Sequence, residues 1–311
     1  MPLRFTLRQL EYLVAVAESG SVALAAERCH VSSPSISAAI SQLEQEFGLQ
    51  LFVRRHAQGL SLTEGGRQFT EAARAVLSSA AALNDRASDL TGQVRGPLSV
   101  GCLLTFAQVV LPHLRRSFAD AHPEVEFRQS EHDHAGLIEA LRRATLDVAL
   151  SYDLEIPADL EFLPLLALPP YALLHEGHPL AARRDVEAAD LAPHPMVLLD
   201  LPYSADYFLS FFAIDGLRPA IAERTRDMGV MRAMVANGFG YSIANIRLGS
   251  DRAPDGRRLI FVPLRTNRAP MRMGLILPKG TQRRRAVAAF AEHCRAVVTD
   301  AMLPGLISPI G

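Results

Sequence analysis

SVALAAERCHVSSPSISAAISQLEQEFG, residues 21–48, is the stretch whose reading decides the fold. Gly20 breaks whatever precedes it, and Ser21 stands where a serine caps a helix. Val22, Ala25, Ala26 and Cys29 recur at helical spacing and form an inner face of small side chains, over which another helix can cross closely. The connection Cys29-His30-Val31-Ser32 is short. Behind it Ser33 is placed to cap, and Pro34 suits the first helical position because its missing N–H would have no partner there. Ile36, Ile40, Leu43 and Phe47 then repeat at steps of four and three, and Gly48 ends the helix. The second helix is polar outward at Ser35, Ser37, Ala38, Ser41 and Gln42. Two helices joined by so short a turn match the supersecondary unit that presents a reading helix to the DNA major groove.

Working outward, Thr6 and Gln9 stand at capping-box spacing, and Leu10, Leu13, Val14 and Ala17 make one face of a preceding helix. Downstream, Leu51-Phe52-Val53 and Gly59-Leu60-Ser61-Leu62 read as short strands bracketing Arg54, Arg55, His56 and Gln58, a basic wing. The competing reading is a three-helix packing module without a nucleic acid partner. Net charge is −1, so no field over the whole chain draws DNA, and Glu11, Glu18, Glu27, Glu44 and Glu46 offset the local arginines. Phosphate contacts therefore fall to a cluster, Arg54, Arg55 and His56, with Arg28, His30 and Arg4 as outliers.

From Thr63 to Leu90 there is no proline, and the only glycines are Gly65 and Gly66. Phe69, Ala73, Val76, Ala80, Leu83, Ala87 and Leu90 alternate steps of four and three, the seam of a dimerising coiled coil. At ~1.5 Å per residue this helix spans about 40 Å. The competing reading is a helix packed on its own domain.

After Gly96-Pro97 the pattern becomes strand–helix–strand. Leu98–Leu103, Val125–Arg128 and Leu146–Leu150 read as strands, with helices ending at Ala121 and spanning Ala135–Ala144, which implies a parallel sheet with crossovers. A second unit carries strands at Tyr171–Leu174, Met196–Leu199, Ile221–Thr225 and Tyr241–Ala244 and helices at Ala205–Ile214 and Gly229–Ala236. Met271–Leu277 and the helix Gln282–Val298 return to the first. The expected domains are 1–62, a helical winged DNA-binding domain; 63–91, a linker helix; and 92–311, an α/β domain with one lobe at 92–164 and 270–311 and the other at 165–269.

Residues Leu7 to Leu62, with the signatures Leu51-Phe52-x-Arg54 and Leu62-Thr63-x-x-Gly66, resemble the N-terminal domain of LysR-type transcriptional regulators, and the resemblance continues through nearly the whole chain. It implies a DNA-binding dimer joined by paired linker helices and a tetramer built as a dimer of dimers. It also implies a two-lobed effector domain similar to periplasmic solute-binding proteins, with a small organic or aromatic acid as effector. A ligand in such a cleft meets strand ends and helix N-termini. The matching positions are Leu104 and Thr105, where the family commonly places a hydroxyl; His132 and His134 around Asp133; Pro202, Tyr203 and Ser204; and Phe239, with Tyr203 and Phe239 as an aromatic wall and a protonated histidine to suit a carboxylate. Many relatives carry glutamine just before the recognition-helix proline and arginine soon after. Here Ser33 and Ala38 stand instead, so the DNA-binding face Ser33, Pro34, Ser35, Ser37, Ala38 and Ser41 encodes little base preference of its own.

Hydrophobic residues at 49% and charged residues at 21% fit a globular chain, and no apolar run spans a bilayer. The N-terminus lacks a secretory stretch, so a cytoplasmic protein is expected. Cys29, Cys102 and Cys294 are too far apart for a metal pair or a disulfide framework, and Cys102 is best read as a buried strand residue. His132-Asp133-His134 lacks a third ligand of obvious spacing, which leaves Asp133 as a helix cap. There is no nucleophile elbow, phosphate-binding loop or His-Glu-x-x-His, so neither catalysis nor a cofactor is expected. The rival readings are a solute-binding protein with an added dimerisation module, an enzyme using the cleft, and a redox regulator acting through Cys102.

Overall fold

The computed structural model describes residues 4–55, 59–91, 93–280 and 284–299. They form two compact units that divide between Gln93 and Val94.

In the first unit, α1 (Leu7–Ser19) opens on a reciprocal capping box, in which Thr6 accepts from the Gln9 backbone and Gln9 accepts from the Thr6 backbone N–H. It ends at Gly20, whose φ of 63° is the left-handed conformation that closes helices. Ser21 caps α2 (Val22–Cys29), and its end is His30, at φ 55° without being glycine. α3 (Ser33–Phe47) is capped by Ser32 rather than Ser33. Ser32 Oγ accepts the Ser35 N–H at 3.3 Å, and Pro34 sits one position later than expected, still within the turn whose N–H groups need no helical partner. Leu13, Val16, Ala25, Ile36, Leu43 and Leu51 form the core, while Val22 and Cys29 are half-buried at its margin. β1 (Phe52–Arg55) and β2 (Gly59–Leu62) pair antiparallel from Phe52 opposite Leu62.

α4 (Glu64–Thr91) is 28 residues long. Its start is wedged against the wing: a Cβ on Gly66 would lie 2.1 Å from the Leu51 carbonyl oxygen, so only glycine fits. The expected seam divides. Phe69 packs edge-on against Phe47 at 4.7 Å, and Ala73 is buried in the core of its own unit. Ala73 is thus taken up by its own unit and Phe69 partly so, because the helix lies on α1 at this end. Val76 and Leu83 remain exposed, at 41% and 70%, and Ala80 is half-buried. Ala87 and Leu90 continue the helical backbone, and their side chains lie outside the described set.

In the second unit, β3 (Gly96–Leu103), α5 (Leu104–Ala107), α6 (Leu111–Ala121), β4 (Val125–His132), α7 (His134–Arg142), β5 (Val148–Tyr152) and β6 (Leu160–Leu168) come first. There follow β7 (Tyr171–His175), α8 (Ala188–Leu191), β8 (Pro195–Leu199), α9 (Ser204–Ala213), β9 (Ala220–Thr225), α10 (Met228–Ala236), β10 (Ser242–Ala244) and β11 (Leu259–Pro263). β12 (Met271–Pro278) and α11 (Arg285–Val297) close the chain. The first sheet runs β4-β3-β5-β12-β6. Its first three strands are parallel, as the crossovers require, but β12 is antiparallel to both neighbours, so the sheet is mixed, a correction to the expected parallel one. β6 and β11 were not anticipated. The second lobe combines an antiparallel β10-β7-β11 sheet with a parallel β8-β9 pair, linked by a bridge between Met196 and Tyr241.

Candidate functional site

On α3, Ile36, Ala39, Ile40 and Leu43 turn inward. That rotation leaves Pro34, Ser35, Ser37, Ala38 and Ser41 exposed along the opposite face, with Ser33 half-buried. Ser35 Oγ shares a hydrogen bond with Ser32 Oγ at 2.8 Å, and Gln42 is held by Gln9 Nε2 at 2.8 Å, so Gln42 serves α1 as well as the outer face. The face offers hydroxyls and no charge. Arg54 and Arg55 lie on β1 opposite Leu60 and Gly59; their side chains, and all of His56, lie outside the described set. Two expected outliers are already paired. Arg28 meets Glu18 at 2.6 Å, and Arg4 meets Glu46 at 3.4 Å. Arg74 is also held by Glu18, at 3.2 Å.

In the second unit, strand ends from both lobes meet around a cavity of about 20 Å³, room for about one water molecule. From the first lobe come Thr105, in the short α5, and Tyr152, the last residue of β5. From the second come Ser204, which opens α9, and Asn245, just past β10. The remaining wall is aliphatic, methionine and phenylalanine. The Tyr152 hydroxyl donates to Asn245 Oδ1 at 2.7 Å, bridging the lobes, and burial pushes that phenol far above its ordinary range. Thr105 Oγ1 and Asn245 Nδ2 are buried and have no hydrogen-bond partner; the Thr105 hydroxyl borders the Tyr152 phenol without meeting hydrogen-bond geometry. Buried polar atoms are nearly always satisfied, so such an exception marks where water or ligand belongs.

The chain enters α9 under strain. Tyr203 has φ 66° and ψ −46°, and the Ser204 N–H bonds back to the Pro202 carbonyl at 2.8 Å. This is the rare γ-turn with positive φ. The Tyr203 ring meets His134 of the other lobe edge-on at 5.2 Å. His134 is buried. Its Nε2 lies 2.8 Å from the Leu154 carbonyl, which can only accept, so Nε2 carries the proton and Nδ1 takes the Ser151 hydroxyl at 2.8 Å. Burial lowers its pKa against the opposing pull of that carbonyl, Asp133 and Glu155. Both ring nitrogens are thus committed within the protein, so His134 has no free N–H to offer a carboxylate.

Other expected positions fall outside the cavity wall. His132 lies on β4, bonded to Ser130 Oγ at 2.9 Å. Asp133 caps α7 by accepting from the Gly136 N–H. Leu104 is 41% exposed and Phe239 54%. Phe239 sits between glycines at φ 83° and 153°, a turn that directs it to solvent, so Tyr203 and Phe239 form no joint aromatic wall. Among the described residues no cluster of metal-ligating side chains occurs, and no helix is long and apolar enough to cross a membrane. Cys102 and Cys294 are fully buried, and desolvation pushes both thiols up, away from the reactive thiolate. That removes the basis for a redox reading through Cys102. Sequence reasoning missed Tyr152 and Asn245, though a tyrosine just beyond the apolar run Val148-Ala149-Leu150 was a signal for the first.

A family described as "Bacterial regulatory helix-turn-helix protein, lysR family" matches residues 7–67, and "LysR substrate binding domain" matches residues 91–299. The chain is 30% identical to the DNA-binding transcriptional dual regulator OxyR of Escherichia coli K12, over 93% of this chain and 95% of that one. Among solved structures, HinK, a LysR family regulator from Pseudomonas aeruginosa, is 33% identical with a TM-score of 0.65, covering 95% of this chain and 99% of its own. Full-length CbnR complexed with its target DNA is 28% identical with a TM-score of 0.63, over 94% and 99%. Because each half is matched separately and the relatives align across both at once, the chain belongs to the LysR family of transcriptional regulators, a helix-turn-helix DNA-binding domain joined to an effector-binding one.

Proposed function

We propose that this regulator binds a two-fold operator in double-stranded DNA through the exposed hydroxyl face of α3 and the wing cations Arg54, Arg55 and His56. It pairs with a second copy through the outer part of α4, and responds to a small molecule held between the lobes at Thr105, Tyr152, Ser204 and Asn245. Residues 1–62, 63–91 and 92–311 carry these three tasks. The observation that carries the effector site is the pair of buried, unpartnered polar atoms, one from each lobe, on one cavity. Ligand would act by favouring one lobe arrangement over another, which requires unequal affinity for the two. A tetramer, a cytoplasmic setting beside DNA and the lack of an enzymatic activity accord with the family. The organic or aromatic acid implied by resemblance would have to rest on neutral donors, since no cationic side chain lines this cavity.

The test is a DNA-binding titration of the full chain against its own upstream promoter, with excess nonspecific competitor. Replacing Arg54 and Arg55 by alanine is expected to weaken binding by about ten-fold or more and to lower the salt dependence by up to about two phosphate contacts. Unchanged affinity and salt dependence would remove the wing from the interface.

A further inference from the structure

We propose that the molecule this cleft receives is uncharged: a small, mainly apolar compound that offers a carbonyl-type acceptor to Asn245 Nδ2 and a second polar group to Thr105 Oγ1. The inference rests on reading the cavity as the effector site, and narrows the ligand to a chemical class opposed to the acid the family resemblance implies.

The first ground is the wall itself. No lysine, arginine, histidine or carboxylate lines the cavity; its polar atoms are three hydroxyls and one carboxamide. A carboxylate moved out of water without a counter-charge loses solvation that neutral hydrogen bonds restore only in part. The second ground is the helix ends. α9 and α10 begin at the wall with Ser204 and Met228, and a helix N-terminus ordinarily favours an anion. Here each end already carries its own carboxylate. Asp206 lies in the first turn of α9, and Asp227 caps α10 by accepting the Val230 N–H at 2.9 Å. Those charges offset the helix dipoles and repel a second anion. The third ground is His134, which reaches the second lobe through Tyr203 but is buried with both ring nitrogens hydrogen-bonded, so it has no free N–H to offer a ligand.

The carboxamide sets the polar contact. With Oδ1 committed to the Tyr152 hydroxyl, Nδ2 is a donor in need of an acceptor. This donor serves a carbonyl as readily as a carboxylate, and only the rotated amide, with Oδ1 facing the cavity, would repel an anion outright. The apolar remainder includes Met228 and Met231, flexible side chains that repack easily as the closed cavity widens to admit a ligand.

Matched probes separate the classes. Acetamide against acetate and benzamide against benzoate, each pair nearly equal in shape, would be titrated calorimetrically into the full-length protein and into its Thr105→Val, Asn245→Leu and Asn245→Asp variants, with thermal melts to establish that each variant folds. The expected result is an amide bound about ten-fold or more tightly than its carboxylate, with about a ten-fold loss on removing either the Thr105 hydroxyl or the Asn245 donor. In Asn245→Asp, amide binding is lost and carboxylate binding is not gained. Equal or tighter carboxylate binding that disappears in the Asn245 variants would overturn the uncharged class while keeping the cavity as the site. Binding that survives every substitution would remove the cavity reading as well. Absence of selective binding by either amide would also overturn the proposal.

Discussion

At the scale of single residues, the cleft is built on unfinished bonding. Thr105 is 7% exposed, yet its hydroxyl has no partner, which costs about 1–3 kcal/mol of lost solvation. Valine has the same shape and no hydroxyl. Thr105→Val is therefore expected to stabilise the ligand-free protein by about 1 kcal/mol, a rise of about 2–4 °C in melting temperature, while about ten-fold more effector is needed for the same change in the DNA complex. A fall in melting temperature would mean that the hydroxyl has a partner in solution. Position along the chain made Thr105 and Ser204 legible, because both follow strands and start helices. Tyr152 and Asn245 were not legible, since their importance lies in a bond across 93 residues of sequence that no local pattern encodes. The strain at Tyr203 was equally hidden: nothing in Leu201-Pro202-Tyr203-Ser204 announces a positive φ at a bulky residue.

At the scale of elements, punctuation read best. The Thr6 box, the Ser21 cap, the Asp133 cap and the closing glycines Gly20 and Gly48 stand where local chemistry places them. β6 was missed because Pro164 lies inside it and its burial does not alternate; the sheet accommodates the residue with missing N–H through a register shift beside Gly274. β11, a short apolar strand after an arginine-rich loop, carried no period long enough to recognise. The turn after β7 supplies a prediction at this scale. His178 is buried between His194, ring to ring at 4.7 Å, and His175 at 5.5 Å. Burial, then repulsion from His194 and His175, lowers its pKa from 6.5 to about 4. The unfolded chain therefore binds the proton first as pH falls, so this group's stabilisation is full above pH 6.5 and drains away down to about 4. Melting temperature should fall across that window, and His178→Leu should flatten the fall. An unchanged pH profile in the variant would exclude this turn as the source.

At the scale of the whole molecule, the proposed pairing through α4 would use the part of the helix that its own unit leaves exposed. Leu83→Glu places a charge on an exposed apolar position and is expected to raise the dimer dissociation constant by about ten-fold or more, measured by sedimentation, with the melting temperature of the first unit unchanged. The same experiment at Ala73 or Phe69 would instead report on folding, because Ala73 belongs to the core of its own unit and the half-buried Phe69 packs against it. The ion pairs of that unit carry one further consequence. With Arg4, Arg28, Arg67 and Arg74 each facing a carboxylate, a DNA phosphate must compete with an internal partner for each of these cations. Affinity for DNA of arbitrary sequence is then expected to fall short of what the arginine count alone implies.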